Sequence, residues 1–147
     1  MNIRPSVALI EAGKIMLLRY SYSGKDLYQL PGGNSEDAET LEDTLSRELQ
    51  EEAHLNIEVH NLLLVAQVLQ KHKNEAKLHC LFKGSVLPGQ HPQLDPAHTS
   101  ALEAVWMDLK ELPSLNLYPA VGKQLLNILE SPSSETKYLG QIEQPWL

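Results

Sequence analysis

A chain of 147 residues, 42% apolar and 21% charged, is long enough for one domain with its own core, and the composition excludes the disordered and fibrous classes. The formal net charge of -7 excludes broad electrostatic binding of nucleic acid, while a small anionic substrate stays compatible with it if a metal supplies local positive charge. The single cysteine, Cys80, excludes an internal disulfide, and no apolar run approaches the ~18 residues of a membrane span.

The first residues carry one early arginine and an apolar patch interrupted by Glu11, which does not make a signal peptide, so the cytoplasm is the default expectation. Ile3 to Ile10 and Lys14 to Tyr20 are strand-forming runs joined by Glu11-Ala12-Gly13, the pattern of a hairpin. Arg4 and Arg19, on neighbouring strands, are candidates to meet a phosphate. The short run Leu27 to Leu30, with Tyr28 as a candidate for substrate contact, delivers the turn Pro31-Gly32-Gly33. Glycine has no Cβ to obstruct close approach of the backbone to a ligand.

From Glu36 to Ala53 the spacing predicts a helix, with Ser35 or Asp37 as its cap and Leu41, Leu45 and Leu49 as its buried stripe. Glu48, Glu51 and Glu52 crowd one side of its last two turns. Like charges at this spacing each cost a helix roughly 0.2–0.5 kcal/mol, and the helix dipole opposes negative charge at this end. Glu52 also projects within the arc of the leucines. A solvated face neutralised by Arg47 is the plain reading, but three convergent carboxylates suit a hard divalent cation such as magnesium, manganese or calcium better.

Past the helix, Ile57 to Gln70 reads as a long strand bent near His60-Asn61, Lys71 to Glu75 as a hairpin tip, and Lys77 to Val86 as its return. Alternation puts Leu78, Cys80 and Phe82 on one face and His79, Leu81 and Lys83 on the other. His79 is a candidate for the cleft, against the plainer role of a partly exposed strand residue. Leu87 to Ser100, with three prolines, is the longest loop. It leads into a strand around Leu102 to Asp108, where Trp106 is expected to be substantially buried. Pro119 is placed to start a last helix bearing Val121, Leu125, Leu126 and Leu129. The tail, 131–147, carries Tyr138, Leu139, Ile142, Trp146 and Leu147, apolar enough to dock on the domain or on a second subunit.

The segment from Gly33 to Leu55 resembles the box of the Nudix hydrolases: Gly33, Glu39, Arg47, Glu48, Leu49, Glu51, Glu52 and Leu55 stand in its register. His54 stands where that pattern has glycine. The resemblance implies one α/β domain over residues 1–147, an α/β/α sandwich with a mixed sheet between helices. It implies an enzyme that hydrolyses a phosphoanhydride in a nucleoside diphosphate linked to another group, with Mg2+ as cofactor and Mn2+ as a substitute. Carried over residue by residue, Glu48, Glu51 and Glu52 become metal ligands with the carbonyl of Gly32, and Arg47 orients a glutamate. Gly33 and Glu39 take structural roles. For the general base Glu51, Glu52 and Glu103 stay open, and Leu69-Gln70-Lys71-His72 carries no substrate marker, leaving ADP-ribose, a nucleotide sugar or a nucleoside triphosphate. The implied partner is a small nucleotide, for a monomer or homodimer, with no nucleic acid or membrane. The alternative is a Nudix-fold module that binds a nucleotide without cleaving it.

Overall fold

The computed structural model describes residues 1–131 and 133–145; Trp146 and Leu147 of the apolar tail lie outside the described residues. Its elements in chain order are β1 (Asn2–Glu11), β2 (Lys14–Tyr22), β3 (Lys25–Gln29), α1 (Leu41–Ala53), β4 (Ile57–Gln70), β5 (Glu75–Val86), β6 (Glu103–Asp108), β7 (Leu117–Tyr118), α2 (Gly122–Glu130) and β8 (Lys137–Glu143). Short 3-10 turns occupy Lys71–Lys73 and Leu109–Ser114.

The sheet runs β7-β3-β2-β1-β5-β4-β8, with β6 paired to β2. It is mixed: β1 with β5, β3 with β7 and β4 with β8 are parallel, and the other pairs are antiparallel. β1 and β2 pair only beside their turn, at Ile10↔Ile15 and Glu11↔Lys14, and diverge beyond it. The chain after β3 fills that divergence: the Val7 N–H donates to the Pro31 carbonyl at 2.9 Å and the Gly33 N–H to the Pro5 carbonyl at 3.2 Å. This splaying is what opens a cleft in an otherwise continuous sheet.

Alternation along the strands sends side chains to two cores. Val7, Leu9, Met16, Cys80 and Phe82 meet Leu45, Leu49 and Ala53 of α1, while Ala8, Ile15, Leu17, Leu30, Leu64 and Leu81 meet Leu125 of α2. A helix on each face of a mixed sheet gives the expected α/β/α layering. Leu45 and Leu49 are fully buried, and full burial of a leucine stabilises by about 1.5–3 kcal/mol. Trp106 is only half-buried, packed against the α1-side core.

Several boundaries differ from the sequence reading. The helix does not start at Glu36, because Ala38 sits at φ 67°, outside helical geometry, and the cap is Thr40, whose side chain accepts from the Asp43 N–H. Asp37 precedes it in a turn closed by Glu39 N–H to Glu36 carbonyl at 3.2 Å, and Ser35 lies before that turn. Pro119 does not open α2 either; it follows a cis peptide from Tyr118, and the helix begins three residues later at Gly122. The expected bend in β4 is present as register shifts between Val59 and Leu64. The tail folds back as the edge strand β8, secured by Gln144, whose Oε1 accepts from the Ala120 N–H at 2.8 Å and whose Nε2 donates to the Leu117 carbonyl at 3.0 Å.

Candidate active site

The cleft between the diverging strands is a cavity of about 320 Å³ lined by Arg4 of β1, Leu18 and Tyr20 of β2, Gln29 to Asn34, Glu48 and Glu52 of α1, and His98-Thr99-Ser100. The Leu45 and Leu49 stripe fixes the roll of α1 against the sheet, and that roll turns Glu48 and Glu52, one helical turn apart, inward. Gly33 is needed for this arrangement, since a Cβ there would overlap the Glu48 carboxylate. At Gly32 a Cβ would strike the Pro5 carbonyl and Ser6. The two hydrogen bonds that bind this turn to β1 use the Pro31 carbonyl and the Gly33 N–H, and leave the Gly32 carbonyl out.

Glu52 is hydrogen-bonded to Glu48, and its carboxyl is pushed up to about 8 by burial, by that hydrogen bond and by the charge of Glu48, with Arg4 pulling the other way. The folded chain by itself therefore holds a proton between two carboxylates at neutral pH. Glu51 is not in this pair. Its carboxylate lies on the flank of α1, 3.2 Å from Arg47 Nη1 at the favourable i, i+4 spacing. Expected convergence of three acids is thus met by two, and among the described residues no group of three His, Cys, Asp or Glu is arranged to hold a metal ion.

Arg47 is the hub beside the pair. Its Nε donates to Glu39 Oε2 at 2.8 Å, Nη1 to Glu48 Oε1 at 3.1 Å, and Nη2 to the Asn34 carbonyl at 3.2 Å. Glu39 also accepts from the Glu36 N–H at 2.8 Å and the Thr44 hydroxyl at 3.0 Å. Arg47 and these donors hold the Glu39 carboxyl down at about 2. The bridge ties the loop before α1 to the helix and presents Glu48 to the cleft.

The remaining sequence candidates divide. Arg4 lines the cavity, 5.5 Å from the Tyr118 ring centroid to Cζ, and forms no ion pair among the described residues. Arg19 does not line it: β2–β6 register places Arg19 opposite Glu103, and Nε meets Glu103 Oε1 at 3.1 Å while Nη1 meets Asp26 at 3.3 Å. Glu103 is therefore corrected from a candidate base in the cleft to an exposed ion-pair partner. Tyr28 is half-buried against the α2-side core and does not reach the cavity. His79 is fully buried behind it, neither lining it nor partly exposed.

The long loop supplies what the sequence reading left unnamed. Its backbone is pinned to the end of α1, with Gln93 N–H on the Ala53 carbonyl and Asp95 N–H on the Glu52 carbonyl, each at 2.9 Å. His54, in the left-handed conformation at φ 52°, closes the helix and sets Nε2 3.3 Å from Asp95 Oδ2. Asp95 then accepts from the N–H groups of Ala97, His98 and Thr99, a tight turn that presents His98-Thr99-Ser100 to the cavity, with Thr99 3.3 Å from the Tyr20 hydroxyl. The only sequence signal for these residues was the length of their loop.

A family model for the NUDIX domain matches residues 3–127. An RNA pyrophosphohydrolase of Teredinibacter turnerae (strain ATCC 39867 / T7901) is 36% identical over 80 residues, which is 52% of this chain and 46% of that protein, so the match spans less than half of the relative's length. The solution structure of the E. coli ORF135 protein is 25% identical, with a TM-score of 0.64 over 88% of this chain and 89% of that one. The MutT protein of Bacillus halodurans shares the fold at a TM-score of 0.72 and 17% identity, over 97% and 90% of the two chains. With the box segment from Gly33 to Leu55 wrapped around the cleft as described, and the domain model covering most of its length, this chain belongs to the NUDIX domain family.

Proposed function

We propose that the cleft hydrolyses a phosphoanhydride in a nucleoside diphosphate linked to another group, using Mg2+, with Mn2+ as a substitute. The observation that carries the reading is the Glu48–Glu52 pair, two carboxyls one helical turn apart and held together inside a polar cavity. Magnesium retains several waters and is bound through one or two carboxylates together with substrate phosphate, so a two-acid site of this kind fits it. Glu48, Glu52 and the Gly32 carbonyl would hold the ion, and Glu51 would join them through water by leaving Arg47. When bound, the ion screens the phosphate charge and lowers the pKa of a coordinated water.

The chain's own residues contribute orientation and charge. Arg47 holds Glu48 from one side, as outer groups hold metal ligands elsewhere. Arg4 lines the same cavity, forms no ion pair among the described residues and suits a phosphoryl oxygen of the substrate. Thr99 and the Tyr20 hydroxyl wall the cavity on the loop side. With Glu103 on the outer surface, the proton from the attacking water falls to the box acids Glu52 or Glu51.

The test is a panel of ADP-ribose, UDP-glucose, the nucleoside triphosphates and an RNA with a 5′-triphosphate, incubated with Mg2+ or Mn2+ and resolved by chromatography. Expected is metal-dependent release of a phosphate-bearing product from at least one of them, abolished by chelation. Turnover that survives chelation, or tight binding of a nucleotide with no turnover under either metal, would overturn it in favour of another mechanism or of a binding module.

A further inference from the structure

Behind Arg4 lies a group of polar atoms that apolar packing does not account for. Arg4 Nε, Ser6 Oγ and both ring nitrogens of His79 are buried without a hydrogen-bond partner among the described residues. They belong to one patch: in the parallel β1–β5 register Arg4 stands opposite His79 and Ser6 opposite Leu81, with neighbouring strands about 4.8 Å apart. Tyr118 closes the patch, its ring 5.2 Å from that of His79 in an edge-on arrangement and 5.5 Å from Arg4 Cζ. Leucine at position 79 would fill the same side of the core without burying two ring nitrogens of its own, so the histidine calls for another explanation.

Burial, followed by the charges of Arg4 and Lys77, pushes the His79 imidazole down to about 3, so it is neutral wherever the protein folds at ordinary pH. A neutral imidazole has one lone-pair nitrogen and one N–H, and the orphans beside it are a donor, Arg4 Nε–H, and a hydroxyl that can accept, Ser6 Oγ. The set is complementary. There is also a reason to restrain Arg4. It acts on the charge of Glu52 across the cleft, and an untethered guanidinium would swing onto the two carboxylates that a cation needs.

Resting on the hydrolase reading for its substrate class, we propose that His79 is a positioning residue for Arg4. Its lone-pair nitrogen takes the Arg4 Nε–H when a phosphoryl oxygen draws the guanidinium into the cleft, Ser6 takes the ring N–H, and Tyr118 covers the guanidinium face. The terminal nitrogens of Arg4 are thereby kept as a fork for the phosphate that is not attacked.

The probe is methylenediphosphonate, a phosphoanhydride mimic that is not hydrolysed, titrated calorimetrically with Mg2+ into the full chain, alongside kinetics on the best substrate of the panel. His79→Leu is expected to weaken the probe about tenfold and to raise KM alike with kcat little changed, the range seen when an outer-shell partner is lost. His79→Gln, which keeps an acceptor, is expected to recover most of this. Arg4→Gln should weaken the probe as well, and adding His79→Leu to it should change nothing further. If His79→Leu fails to fold, Tyr118→Leu serves in its place, with the same loss that vanishes in the Arg4→Gln background.

Unchanged affinity in the variants, failure of glutamine to rescue, losses that multiply in the double variant, or no binding of the probe by the wild-type chain would each overturn the proposal. Arg4- and His79-dependent binding in a protein that turns over nothing would sustain it while the hydrolase reading fell. Metal-dependent turnover by the wild type, with both KM and probe affinity untouched by His79→Leu, would do the reverse.

Discussion

Arg47 Nε sits 2.8 Å from Glu39 Oε2, and through this contact the loop that carries Gly33 is fastened to the helix that carries Glu48. The Glu39 carboxyl is held at about 2, below its ordinary 4.5, chiefly by the Arg47 hydrogen bond. A carboxylate depressed on folding adds stability above its unfolded pKa and loses that contribution as pH falls through its folded one. Melting temperature should therefore decline as pH is taken from 4.5 toward 2. In Glu39→Gln that decline should be visibly shallower, and the variant should melt lower than wild type at neutral pH. Equal acid profiles for the two proteins would show that the bridge contributes nothing.

Gly33→Ala places a Cβ on the Glu48 carboxylate, and the obstacle is a side chain that can be displaced. The backbone here is not left-handed, so the fold should survive. Expected is a protein of nearly wild-type melting temperature with Mg2+ affinity reduced by about 10–100-fold, as when the support of a metal ligand is removed. Calorimetric titration of Mg2+ checks it; undiminished affinity would mean that Glu48 does not serve the ion.

Glu103→Gln removes a charge that, among the described residues, is paired with Arg19, at an exposed position on the outside of the sheet. Turnover should stay within about twofold of wild type, since surface substitutions away from a site are usually near neutral. A loss of two orders of magnitude would restore Glu103 as the base and require a rearranged β6.

These cases separate what a one-dimensional pattern carries from what it does not. Leu45 and Leu49 were legible because helical spacing alone decides which way they face, and Glu48 and Glu52 came with them. The place of Glu51 on the flank was not legible because Arg47, four residues before it, draws its carboxylate sideways, and spacing does not choose between a cation in the cleft and an arginine on the flank. The start of α1 was missed because Ser35, Asp37 and Thr40 are all competent caps, and only the left-handed Ala38 decides among them. Glu103 and His79 were misplaced for one shared reason: their surroundings come from strand register, Arg19 opposite the first and Arg4 opposite the second, and register between distant strands is absent from local pattern.

Glu52→Gln tests the site most directly. The substitution keeps the side chain's size and its hydrogen bond to Glu48 while deleting a hard anionic ligand, so turnover with Mg2+ should fall on the order of 10²-fold or more, the scale for losing a group that stabilises developing charge. Stability of the metal-free protein should move the other way. The folded-state pKa of Glu52, about 8, lies above its ordinary 4.5, so the folded chain retains a proton that the unfolded chain gives up. Stability is therefore lost as pH rises through this window. Glutamine carries no such proton, so Glu52→Gln should melt higher than wild type near pH 8 in the presence of chelator, and the two should converge toward pH 4.5. Mg2+ should stabilise the wild type at pH 8 and the variant far less. If Glu52 were only an ion-pair partner of the fold, the variant would melt lower and turn over normally, and that combination would overturn its assignment to the reaction.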